Sequence, residues 1–249
     1  MPLIYLSPST QEFNEYLNGG SEEYYMNLIA DAMVPYLTSS GINYVRNTPD
    51  MNAAQAIYQS NQGNYDFHLA IHSNAAPESL SGTLSGTDVY YYPSSPLGEK
   101  AAVIIAENFR DIYPQPEKVR PVTTTNIGEV RRTKAPSVLI EVAYHDNPED
   151  EAWIRANIDE IARNLVFSLT EYFGIPFIEP SEPLKGRVST VQTPLNIRER
   201  PSIFSPILNS VENGEELDII GTFGEWYLIN YNGILGYVNS DYVTIDQQD

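Results

Sequence analysis

The chain of 249 residues contains no cysteine. That excludes disulfides, thiolate metal sites and cysteine nucleophiles, and leaves oxygen and imidazole as ligands. Imidazole is itself scarce, since His68, His72 and His145 are the only histidines. Positive charge is short as well: 14 basic against 33 acidic residues give a net charge of −19. Such a surface repels nucleic acid and anionic lipid, so no nucleic-acid partner is expected. No apolar run approaches the ~20 residues that span a bilayer, so no transmembrane segment is expected. Met1-Pro2 leads directly into Leu3-Ile4-Tyr5, without the basic segment, apolar core and cleavage site of a signal peptide. An apolar content of 42% is that of an ordinary folded protein.

What is present is organised around Asp66-Phe67-His68-Leu69-Ala70-Ile71-His72-Ser73-Asn74-Ala75. Its apolar centre and polar flanks suit a buried strand of a parallel sheet, with His72 at the carboxyl end, where open α/β sheets bind their ligands. His68 and His72 would share a helical face, but no glutamate follows His68 and the segment is short for a helix. On a strand they share a face yet lie roughly 13 Å apart at about 3.3 Å per residue, too far to hold one metal ion. His68 reads as a buried, hydrogen-bonded histidine.

In chain order, Leu3–Leu6 reads as a first strand and Glu22 to about Leu37 as a helix capped by Ser21, with Pro35 marking a kink or early end. Ile42–Arg46 and Thr87–Tyr92 read as strands, and Met51–Gln59 and Gly98–Ile112 as helices. Ser137–Tyr144 is a second apolar strand with Glu141 inside it, a carboxylate that needs an ion pair, hydrogen bonds or a metal to justify its burial. Arg131 and Arg132 are the candidate ion-pair partners. One long helix is expected from about Glu149 to Phe173, ended by Gly174. The alternation predicts an α/β fold, a mostly parallel sheet flanked by helices. A proline-rich linker over 176–184 then leads to short β-type runs with Asn213-Gly214 and Asn232-Gly233 turns, the texture of a small all-β barrel.

Several stretches carry a resemblance. Glu22 at a helix start, Ile71-His72-Ser73-Asn74-Ala75, and Val138-Leu139-Ile140-Glu141-Val142 followed by Asn147 resemble the zinc-dependent N-acetylmuramoyl-L-alanine amidases of bacterial cell-wall turnover. Leu195-Asn196-Ile197-Arg198-Glu199-Arg200-Pro201, Gly224-Glu225-Trp226-Tyr227 and Gly233-Ile234-Leu235-Gly236-Tyr237-Val238 resemble a bacterial SH3-like domain. The implied organisation is an amidase catalytic domain over 1–175, the linker over 176–184, and an SH3-like domain over 185–249.

The resemblance implies hydrolysis of the amide between N-acetylmuramic acid and L-alanine by zinc-activated water, with peptidoglycan as partner. It implies zinc (Zn2+) held by a histidine after the first strand, Glu22 and His72, with Glu141 as the catalytic acid/base. The first histidine has no counterpart, because the turn reads Ser7-Pro8-Ser9-Thr10-Gln11. Gln11 takes its place by position; His145 is the better ligand chemically but lies where the family has none. A degenerate, zinc-free amidase serving as a wall-binding or regulatory protein, and a zinc peptidase acting on stem peptides, are the alternatives. The expected location is the cell wall or the secreted fraction, with spore association or release by lysis as other routes. Trp226, Tyr227, Tyr231 and Tyr237 are the aromatic candidates for wall contact.

Overall fold

The strand Phe67–Asn74 (β3) is the most deeply buried of the sheet, with Phe67, Leu69, Ala70 and Ile71 fully shut from solvent. Its parallel neighbours are Leu3–Pro8 (β1) on one side and Ser137–Tyr144 (β6) on the other. Thr87–Tyr91 (β4) runs antiparallel to β6, Val119–Thr123 (β5) parallels β4, and Asn43–Arg46 (β2) completes a mostly parallel sheet of order β2-β1-β3-β6-β4-β5. Helices Glu22–Ser39 (α1), Ala53–Gln62 (α2), Pro96–Phe109 (α3), Gly128–Arg131 (α4), Pro148–Ala156 (α5) and Ile158–Phe173 (α6) lie between the strands in sequence. The computed structural model describes residues 1–180, 184–191 and 193–245. They cluster into two units: 2–34 with 44–173, and Met1 with 35–43 and 174–249.

Local chemistry sets the helix ends. Asn52 accepts from Gln55 N while the Gln55 side chain accepts from Asn52 N, a reciprocal box that starts α2. Asn147 accepts from the amides of Glu149 and Asp150 and, with Pro148 behind it, starts α5. Gly174 follows α6 at φ +65°, the left-handed turn expected of it. Pro35 lies inside α1, which continues past it to Ser39, so of the two alternatives at Pro35 the early end is not taken. One expectation needs correction. The long helix over 149–173 is two helices broken at Asn157, whose side chain donates 2.7 Å back to Trp153 O while its amide closes the turn on Ile154 O.

In the second unit, Leu184–Val188 (β7), Leu195–Arg198 (β8), Ile207–Val211 (β9), Glu216–Phe223 (β10), Trp226–Tyr231 (β11), Ile234–Asn239 (β12) and Val243–Ile245 (β13) form an antiparallel sheet of order β13-β7-β10-β11-β12-β8-β9. Its inward face collects Val188, Ile197, Val211, Ile219, Ile229 and Val238. A second cluster joins Ile220, Leu228 and Tyr237 to Ile178. Ile178 belongs to the proline-rich stretch, of which 181–183 lie outside the described residues. Among the described residues no helix is long and apolar enough to cross a membrane.

Candidate active site

Register brings the sequence candidates together. His72 on β3 sits opposite Glu141 on β6, and Glu141 opposite Asp88 on β4, so three polar side chains share one row and one face of an otherwise apolar sheet. Glu22, the first residue of α1, reaches His72 from the side, with Oε1 2.8 Å from Nδ1. Gln11, in the loop after β1, places its amide nitrogen 3.4 Å from Glu22 Oε1 and 3.4 Å from His72 Nδ1. Asn14 donates to Glu22 Oε2 at 2.6 Å. A cleft of about 780 Å³ opens here, lined by residues including Ser9, Gln11, His72, Glu129, Arg132 and Glu141.

One member of this cluster is absent from the sequence reading. Glu129, on α4, sets Oε2 3.1 Å from His72 Nε2 and Oε1 3.3 Å from His68 Nε2. Ser7 donates to the same Oε1 at 2.6 Å. His68 is buried and hydrogen-bonded as expected, with Ser60 Oγ 2.9 Å from Nδ1 and Tyr5 stacked on its ring. The two histidines, too far apart on the strand to share a metal ion, are bridged by one carboxylate.

Charge follows from these contacts. Burial alone would lower the His72 pKa, but the hydrogen bonds to Glu129 and Glu22 carry it well above the ordinary imidazole value, so without a metal His72 is an imidazolium between two carboxylates. Burial would raise Glu22 and Glu129, yet the histidine contacts hold both below the usual carboxylate range.

Glu141 is the exception. Its Oε2 is shut from solvent and has no hydrogen-bond partner. Burial raises its pKa to about 7; the His72 charge opposes this, and Glu22, Asp88 and Glu129 add to it. The expected ion pair with Arg131 or Arg132 is not formed among the described residues, whereas the neighbouring Asp88 is matched by Arg120 at 2.8 Å. An unpaired carboxyl that titrates near neutrality in a cleft is suited to taking and giving protons.

His145 is directed elsewhere. Its Nδ1 is 3.0 Å from Ser73 Oγ and its ring stacks on Tyr16, which donates to the same hydroxyl at 2.9 Å. Of the two candidates, Gln11 is the one brought to Glu22 and His72. Among the described residues no group of three histidine, aspartate or glutamate side chains is arranged to hold a metal ion. Gln11, which has another chemistry, completes a triangle with edges of 2.8, 3.4 and 3.4 Å. Tetrahedral zinc with bonds near 2.0–2.2 Å sets its donors roughly 3.3 Å apart. A half-turn of the Gln11 amide puts its oxygen where the nitrogen now is. Two edges match that spacing, and the 2.8 Å edge between Glu22 and His72 is a hydrogen bond that would have to open, with the Nδ1 proton leaving, for these donors to hold zinc.

Comparison with known proteins gives the family and the fold. A family model for N-acetylmuramoyl-L-alanine amidase matches residues 11–170, more than half of the chain. The chain belongs to the N-acetylmuramoyl-L-alanine amidase family. A bacterial SH3 domain model matches residues 193–244. The amidase fold is shared with the amidase AmiC2 of Nostoc punctiforme, at TM-score 0.60 and 18% identity over 70% of this chain and 97% of that one. It is also shared with an amidase from Clostridium difficile 630, at TM-score 0.61 and 18% identity over 70% and 97%. The catalytic domain of CwlV from Bacillus (Paenibacillus) polymyxa gives TM-score 0.57 and 19% identity over 71% and 100%. Bacteriocin BCN5 of Clostridium perfringens is 35% identical over 72 residues, which is 29% of this chain but only 8% of that protein.

Proposed function

We propose that this amidase hydrolyses the amide between the lactyl group of N-acetylmuramic acid and L-alanine in peptidoglycan, with zinc held by Gln11, Glu22 and His72. The supporting observation is the convergence of those three donors near Glu141, with Gln11, His72 and Glu141 lining one open cleft and Glu22 buried behind it. A zinc ion bound there supplies polarisation of the scissile carbonyl and acidification of water. Glu141 takes a proton from the attacking water and returns it to the leaving L-alanine amine, for which a pKa near 7 is suited. Asn14 fixes Glu22 in place by holding its second oxygen.

The test is product analysis on intact sacculi. New amino groups on L-alanine, with glycan stripped of peptide, are expected. Amino groups from within the stem would make the protein a peptidase, and no release by zinc-loaded protein would make it a degenerate amidase.

The β-domain supplies wall binding in this reading, and the protein works in the cell wall or outside the cell. Its four aromatic candidates divide between core and groove. Tyr237 is buried in one core cluster, against which Trp226 packs, and Tyr227 and Tyr231 pack against the other. Trp226 also lines a groove of about 670 Å³ with Tyr242, Ile203, Thr190 and Arg198. Trp226→Ala in the full-length chain is expected to reduce sedimentation with sacculi severalfold without unfolding the amidase domain. Unchanged sedimentation would remove the groove from wall recognition.

A further inference from the structure

The cluster around His72 contains a carboxylate for which the reaction has no use. Glu129 borders the cleft, but among the described residues it makes no hydrogen bond to Glu141; its Oε2 faces the far nitrogen of the His72 ring. Its setting is built rather than incidental. α4 is only four residues long, and it is pinned by Val130, which packs against Ala70 and Leu139. Ser7 from β1 and His68 from β3 both hold Glu129 Oε1, and Ser60 from α2 holds the other nitrogen of His68. Two elements thus hold one oxygen directly and a third holds it through His68, leaving Oε2 for His72.

An ionised carboxylate only accepts hydrogen bonds, so the His72 nitrogen facing it must carry the proton. Nδ1 faces Glu22 in the same way and is protonated too while no metal is bound; its proton is the one that a metal held by Glu22 and Gln11 would displace, leaving Nδ1 as the donor and the Nε2 proton on Glu129. We infer that Glu129 is a positioning residue that fixes the Nε2–H tautomer and the ring plane of His72, so that Nδ1 is presented as a metal donor. With a neutral amide in place of an imidazole among the three donors, the site depends more heavily on a well-oriented, basic His72. A carboxylate behind a metal-binding histidine raises its basicity, and its removal typically costs about 10- to 100-fold in metal affinity. His68, Ser7 and Ser60 act one step further out by aiming Glu129. This inference rests on the zinc reading above.

The experiment measures zinc affinity of the full-length protein by competition with a chromophoric chelator, for wild type, Glu129→Gln and Glu129→Asp, with thermal melting of each. The chain has three histidines, so two-bond proton–nitrogen spectra of the zinc-loaded protein resolve every ring. The expected result is zinc on His72 Nδ1, a protected Nε2–H in wild type that exchanges fast in Glu129→Gln, and zinc binding weakened about 10- to 100-fold in that variant. Glu129→Asp keeps the charge but withdraws it from the ring, and falls between the two. It decides the matter if Glu129→Gln does not fold. Wild-type affinity in the folded variants, or zinc on Nε2 instead of Nδ1, overturns the inference while leaving a zinc site in place. A wild-type protein that binds no zinc overturns both this inference and the zinc reading.

Discussion

Glu141→Gln is expected to lose roughly 100- to 10,000-fold in turnover while keeping its zinc, because glutamine retains size and an acceptor oxygen but cannot carry a proton. The same variant should be more stable than wild type in the metal-free state. Burial raises the Glu141 pKa from 4.5 to about 7, which at about 1.4 kcal/mol per pH unit corresponds to roughly 3 kcal/mol. A carboxyl with a raised folded-state pKa favours folding below its unfolded pKa, and that advantage is lost as pH rises through the folded one. The gap between variant and wild type is therefore small at pH 4 and largest above pH 7, less whatever the new amide costs if it too is unpaired. In wild type the acid limb of kcat/KM should bend at or below pH 7, since a nearby metal cation lowers the pKa of a carboxyl. That limb should be missing in the variant. Chemical denaturation and pH–rate profiles on one preparation check all of this. A variant that is markedly less stable yet turns over normally would show that Glu141 serves the fold and not the reaction.

His72→Ala carries the other large effect. It removes the imidazolium and leaves Glu22 and Glu129, both almost fully buried, without their shared partner. Stripping one member from a buried charge cluster typically costs about 3–5 kcal/mol. The pH dependence separates this from simple loss of packing. Glu22 and Glu129 have lowered pKa values, so their contribution is complete above 4.5 and is lost as pH falls through the folded-state values. His72 has a raised pKa, so its contribution is complete below 6.5 and is lost as pH rises through the folded-state value. Metal-free wild type should be most stable between pH 4.5 and 6.5, and the deficit of His72→Ala should shrink in acid as the carboxylates protonate. A deficit that does not change with pH would mean that packing, not charge, holds His72. Zinc binding and activity should both be lost in the variant at any pH.

Much of this was legible in the residues. A buried strand that ends in histidine and a carboxylate inside a second apolar strand are costly patterns, and the register sets them side by side. Glu22 was legible as well, although a glutamate at a helix start has a plain electrostatic explanation; its burial and its bond to His72 are what separate the two. Glu129 was not legible. Gly128-Glu129-Val130-Arg131-Arg132 reads as a charged surface turn, and only the docking of a four-residue helix against β6 buries the glutamate and leaves the arginines outside. Reasoning from strand rise correctly kept His68 and His72 apart, but it follows backbone and not side chains, so the carboxylate bridging them escaped it. Which of the four aromatics of the β-domain belong to the core was not legible either. In a small sheet a tyrosine serves core and surface equally well, and packing with Ile178, Ile220 and Leu228 decided the matter.

The most direct test is anomalous diffraction at the zinc edge from crystals of the full-length protein grown with zinc. The account predicts one strong peak within bonding distance of the Gln11 amide oxygen, a Glu22 carboxylate oxygen and His72 Nδ1, with Glu129 on the opposite ring nitrogen. A cluster that still shows His72 Nδ1 hydrogen-bonded to Glu22, with no anomalous peak beside it, would contradict the account.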